Sequence, residues 1–205
     1  LLGHTTKAER SDQIGQWGDG LKCGILALVR AGRKVIIRSG SEVWTPSIVR
    51  SAKFDDADVL AFDIAKGREP KNRVAVEVST TREEWEEMRA KFRFLDVAKQ
   101  DDKLSVKTDE GTLLLDPEEG SKLYVKGIFV QSLPLSYGYD FTHVKLDRDR
   151  RMVDSFDVES TTSRIWRLAM QIRPDVVKRF LVMLEATARD VAGIEAWTVG
   201  FLPDV

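Results

Sequence analysis

Three closely spaced glycines, Gly15, Gly18 and Gly20, run directly into Leu21 and Lys22. Glycines permit positive φ and close backbone approach, and the first amides of a helix behind them are unpaired donors. Together these groups make a cradle for an anion, most often phosphate. Lys22, in the first helical turn, adds a point charge. On pattern alone, a tight turn before a helix is the commoner reading. The run is not a Walker loop, because no Gly-Lys-Ser/Thr follows a strand. It is not a dinucleotide fingerprint either, because no apolar strand leads into it. Residues 1–12, LLGHTTKAERSD, are polar and loop-like.

The elements that must hold this loop follow from the pattern beyond it. Leu21, Ile25, Leu26, Leu28 and Val29 fall on one wide helical face, and Gly32 sits where a helix-ending glycine belongs. Lys34–Ser39 reads as a strand, Gly40-Ser41 as a hairpin turn and Ser41–Val49 as a second strand. Pro46 marks an edge or a bulge in that second strand. Val59–Ala65 and Arg73–Val78 read as two more strands. Thr81-x-x-Glu84 is a capping box opening a helix whose early glutamates suit its positive end. Trp85, Met88, Phe92 and Leu95 recur on that helix at the spacing of a core face.

The order of polar Thr/Lys loop, GQWGDGLK, helix and strand resembles the GHKL ATPase family, in particular its MORC, phage RIIA-type and heat-shock-chaperone-like members. Gly3, Thr5, Thr6 and Lys7 match that family's mobile lid, and Gly15 to Lys22 match its second glycine box, GxxGxGLK. The resemblance is specific over about Gly3 to Ile37 and looser from there to Arg151. It implies that Thr5, Thr6, Lys7, Gly15, Gln16, Trp17, Gly18, Asp19, Gly20, Leu21 and Lys22 surround the phosphates of ATP. By chain order, Asn72 falls near a family position that supports adenine recognition. The family's Mg²⁺-binding Asn, general-base Glu and adenine-reading Asp belong upstream of the lid and are not among these 205 residues. The chain therefore reads as starting mid-lid, with an N-terminal portion of the natural protein before it.

Composition is ordinary for a soluble globular protein, at 42% hydrophobic and 32% charged residues. A net charge of −1 gives no electrostatic argument for nucleic acid or a membrane surface. No apolar run reaches the length of a membrane span. The single cysteine, Cys23, excludes an internal disulfide framework and points to the cytoplasm or another reducing compartment.

Composition shifts near Asp96. Beyond it, Leu104–Lys107, Thr112–Leu115 and Lys122–Phe129 read as short strands. Ser160–Ile172 reads as a helix. A second helix opens at Pro174, carries a stripe of Val176, Val177, Phe180, Leu181, Leu184 and Ala188, and stops at Gly193. Trp197–Leu202 reads as a last strand. YVKGIFV, YGYDF and LDRDR resemble the transducer side of MORC- and RIIA-like proteins, where a basic residue of the second lobe reaches the γ-phosphate. Lys126, Arg148 and Arg150 are the candidates here, against the plainer reading of a salt-bridged strand end. Asp147, Asp149 and Asp154 lack calcium-loop spacing, and His4 and His143 have no partner motif for zinc or for a hydrolase triad.

The expectation is an α/β protein. Residues 1–95 would be the C-terminal part of a GHKL α/β sandwich, with helices on a mixed, largely antiparallel sheet. Residues 96–205 would form a smaller transducer-like α/β lobe. The resemblance implies binding and hydrolysis of ATP with Mg²⁺, and homodimerisation in the ATP-bound state. The alternative is a non-catalytic nucleotide-binding or interaction scaffold.

Overall fold

The computed structural model describes residues 20–68, 73–96, 102–144 and 155–194, apart from the side chains of Ser155 and Phe156. The chain is mixed α/β with two mostly antiparallel sheets, and it forms two compact units, Leu1–Trp85 and Glu86–Val205.

In the first unit, helix α1 (Gly20–Arg30) ends as its glycine predicts. Gly32 adopts φ 73°. Its N–H donates to Val29 O at 3.0 Å and the Arg33 N–H to Leu28 O at 2.9 Å, which closes the last turn on its own carbonyls. Four strands follow, β1 (Val35–Ser39), β2 (Glu42–Ser51), β3 (Ala57–Lys66) and β4 (Val74–Val78), in the order β3-β2-β1-β4. Every pairing is antiparallel. The ladder between β1 and β2 covers only Glu42–Trp44, so Pro46 sits where β1 no longer pairs and its missing N–H is not needed there. Side-chain alternation puts Val35, Ile37, Trp44, Phe62 and Val78 on one face, against Ile25, Leu28 and Val29 of α1. Trp44 meets Phe62 edge to face at 5.9 Å. The same face continues to Ile64, Val74 and Val76, which are exposed by 58%, 63% and 44%.

Helix α2 (Arg82–Ala90) opens on the expected capping box. The Glu84 N–H donates to Thr81 Oγ1 at 3.2 Å, and the Thr81 N–H donates to Glu84 Oε2 at 3.0 Å. These bonds hold the Glu84 carboxyl below the usual range, the Thr81 N–H contributing most. Glu84 also pairs with Arg33. α2 stops at Ala90, so Phe92 and Leu95, expected on the same helix, fall beyond it, and the expected core face is not one: Trp85 and Met88 on the helix and Leu95 after it are exposed. Its apolar spacing is right, but among the described residues no layer covers it. The division between the units falls inside α2, between Trp85 and Glu86. The segment around Asp96, where composition shifts, follows a turn (Arg93–Leu95) that belongs to the second unit.

The second unit holds β5 (Ser105–Lys107), β6 (Gly111–Leu114), β7 (Lys122–Val125), β8 (Ile128–Ser132) and β9 (Gly138–Phe141), in the order β5-β6-β9-β7-β8. The single strand expected over Lys122–Phe129 is instead a hairpin. Lys126 and Gly127, at φ 52° and 75°, turn the chain between β7 and β8. β9 lies centrally, antiparallel to β6 and parallel to β7. Two helices, α3 (Ser155–Ile172) and α4 (Val177–Glu185), contribute Ile165, Trp166, Ala169, Val177, Phe180 and Met183 to the core. Three further differences concern these helices. α3 begins five residues before Ser160. Pro174 opens a separate 3₁₀ turn, Pro174–Val176, and α4 stops at Glu185, well short of Gly193. Leu181, expected in the stripe of α4, is 41% exposed, and Met183 is buried instead. The strand expected at Trp197–Leu202 lies outside the described residues. Among the described residues no helix is long and apolar enough to cross a membrane.

Candidate functional site

Of the residues expected to cradle phosphate, the structure describes Gly20, Leu21 and Lys22. Thr5, Thr6, Lys7, Gly15, Gln16, Trp17, Gly18 and Asp19 lie outside the described residues, as do Asn72, Arg148 and Arg150. Gly20 is the first residue of α1, and a Cβ built on it meets no atom within 4 Å. Leu21 is 58% exposed and Lys22 is exposed, while Ile25, one turn on, is buried. The helix is thus seated by its second turn, and its first turn is left open to solvent. The first amides of such a turn have no intrahelical acceptor, and the helix dipole favours negative charge there. Cys23, on the same turn, is exposed.

The remaining described candidate, Lys126, is half-buried in the second unit at the β7–β8 turn. Its backbone is fixed from two sides. The Lys126 N–H donates to Phe141 O at 3.0 Å, and the next N–H, of Gly127, donates to Asp140 Oδ1 at 2.8 Å. The carbonyl of Gly127 accepts from the Arg93 N–H at 2.8 Å, and the Phe129 N–H donates to Lys91 O at 2.8 Å. A strand-like segment after α2 is therefore paired along the outer side of β8, and Phe92 bridges to Ile128. Burial pushes the Asp140 carboxyl up, against the opposing pull of the Gly127 N–H and the Arg93 charge. Burial also pushes the Tyr124 hydroxyl up, assisted by its hydrogen bond to Glu119.

A third polar cluster, absent from the sequence reading, lies deeper in the second unit. Asp190, with no exposed surface, accepts from the Ser136 N–H at 2.7 Å, the Tyr137 N–H at 3.2 Å and the Tyr139 hydroxyl at 2.5 Å. Trp166 Nε1 donates to that same hydroxyl at 2.7 Å. Burial, then the Asp190 charge, raises the Tyr139 hydroxyl far above its ordinary value. Every polar atom named here is satisfied by another inside the protein, so the cluster works as a staple holding β9, α3 and the Arg189–Val191 turn together. The signal that could have found it is YGYDF beside a late Asp, but 51 residues separate Tyr139 from Asp190.

Among the described residues no three His, Cys, Asp or Glu side chains converge as a metal-holding group. His143 is exposed, and Asp147, Asp149 and Asp154 are outside the description. Comparison of the chain with protein-family models, with curated proteins and with solved structures finds no match.

Proposed function

We propose that this chain supplies the phosphate-binding part of a GHKL-type ATPase, a member of the family its glycine box resembles. In that reading the first unit belongs to the ATP-binding sandwich and the second, which begins at Glu86 rather than at the expected residue 96, to a transducer-like lobe. Closure of the lid at Thr5, Thr6 and Lys7 over ATP then drives homodimerisation or partner binding. One observation carries the reading. The GxxGxGLK spacing runs into a helix whose first residue has open space above its backbone and whose second turn is anchored on an antiparallel sheet. Backbone amides of the box and the Lys22 ammonium would hold phosphate charge, an electrostatic task that needs fixed donors rather than a reactive side chain.

None of the assigned residues is a general base, so these 205 residues alone are expected to bind ATP weakly and to release no phosphate. The test is a chemical-shift titration with ATP on the 205-residue chain and on Gly20→Val. A Cβ at this position meets no described atom within 4 Å, and the fold of the variant is checked by comparing the remaining amide shifts with those of the native chain. Saturable shifts at the amides of residues 20–23, lost in the variant, are expected. Equal shifts in both proteins, or none in either, would overturn the assignment.

A further inference from the structure

The second unit carries a concavity of about 440 Å³ that the ATPase reading does not use. Its apolar lining comes from Pro117, Tyr137, Val182 and Met183, and its polar lining includes Asp116 and Arg179. The concavity is open on the side of Pro117, Arg179 and Val182, which are exposed, so it would hold a small molecule against one wall, as a shallow site does.

Its walls are fixed by bonds already described or adjacent to them. Asp190 holds the Ser136–Tyr137 backbone, and the Tyr137 ring rests edge-on against Trp166 at 5.2 Å. Asp116 is set by its own cap, with Oδ1 accepting from the Glu118 N–H at 2.9 Å. Met183, 4% exposed, belongs to the core and gives the concavity a firm floor.

The two charged groups of the lining are under-used. Arg179 makes one long bond, Nη1 to Leu115 O at 3.4 Å. The second oxygen of Asp116 has no partner among the described residues. Asp116 and Arg179 form no ion pair with each other, and Asp175, the other carboxylate near Arg179, is taken by Arg173 at 2.7 Å. A lone anion would meet Asp116, and a lone cation would meet Arg179. A molecule with both charges and an apolar body satisfies both and covers Val182, which is 64% exposed.

We propose that this concavity binds a small apolar zwitterion, of the class of the apolar α-amino acids. Arg179 takes the carboxylate, Asp116 the ammonium, and Met183 and Val182 the side chain. The test is an amide chemical-shift titration of the full chain with L-phenylalanine. Phenylacetate and phenethylamine, which each lack one charge, serve as controls. Saturable shifts at Ser136, Tyr137 and Ala186 are expected with L-phenylalanine, and at least fivefold weaker binding of either control. Arg179→Gln should weaken L-phenylalanine at least fivefold. Asp116→Asn, which keeps the cap on Glu118, should weaken L-phenylalanine but not phenylacetate. Shifts that never saturate, a control that binds as well as L-phenylalanine, or variants that bind as the native chain does would overturn the proposal.

Discussion

The two units hold themselves together by different means. In Glu86–Val205 one cluster of buried apolar side chains runs from Val106 to Val191 and takes in β5, β6, β7, β9, α3 and α4. In the first unit the corresponding cluster, among the described residues, is Ile25, Val35 and Ile37 with partly buried neighbours. Full burial of such a side chain stabilises by about 1.5–3 kcal/mol. The second unit is therefore specified chiefly by packing. The first leans on hydrogen-bond ladders, a capping box and a helix-ending glycine, each a local device. The unit with the deeper core also holds the buried Asp190 clamp, and the unit with the thin core holds the open helix start. A firm scaffold and an open helix start are thus found in different parts of the chain.

Three substitutions sharpen that contrast. The largest effect is expected from Asp190→Ala, which leaves two backbone N–H groups and the Tyr139 hydroxyl buried without their acceptor. A loss of about 3 kcal/mol or more is expected, read by denaturant unfolding followed through the near-ultraviolet signal of Trp166. A loss below about 1 kcal/mol would mean that the staple is incidental to packing. Gly127→Ala should cost about 1–2 kcal/mol, from a left-handed backbone and a new Cβ at 2.9 Å from the Phe94 ring. Adding Phe94→Ala should recover part of that loss. No recovery would show that the clash is not the cause. The smallest effect belongs to Gly32→Ala. Its φ of 73° is equally left-handed, but the space around it is open. About 1 kcal/mol is expected from the backbone alone. Because the first unit has less in reserve, amide exchange should quicken across β1–β4 as well as α1. Exchange confined to α1 would show that the first unit is as cohesive as the second.

The features legible in the sequence were those that are local. Gly32, the Gly40-Ser41 turn and the Thr81–Glu84 box each announce themselves within a few residues, and the four strands of the first sheet follow from alternation between them. What escaped needed distant partners. Lys122–Phe129 reads as one strand because apolar residues continue through the turn, and the left-handed Lys126–Gly127 pair is marked only by one glycine. Trp85, Met88 and Leu95 have the spacing of a core face, but periodicity cannot say whether a layer exists to cover it. The Asp190, Tyr139 and Trp166 staple joins residues 51 and 27 positions apart, and nothing local ties YGYDF to the distant Asp190 or Trp166. The candidate phosphate site was legible as a pattern of glycines. Only Gly20, Leu21 and Lys22 of that pattern fall among the described residues, so the pattern is what carries it.

The central position of β9 has a consequence for how the protein is made. β5–β6 and β7–β8 are hairpins that close locally, within microseconds on the usual scale. They become one sheet only when β9 slots between β6 and β7, and that parallel contact with β7 is the slower kind to form. During synthesis the two hairpins therefore wait for residues 138–141 to leave the ribosome. Over that interval the facing sides of β6 and β7 are open edges lined by Leu113 and Leu123, which the finished fold buries completely. A pause that keeps residues 138–141 inside the ribosome after residue 132 has emerged would hold the chain in the state most prone to pair with a neighbouring nascent chain.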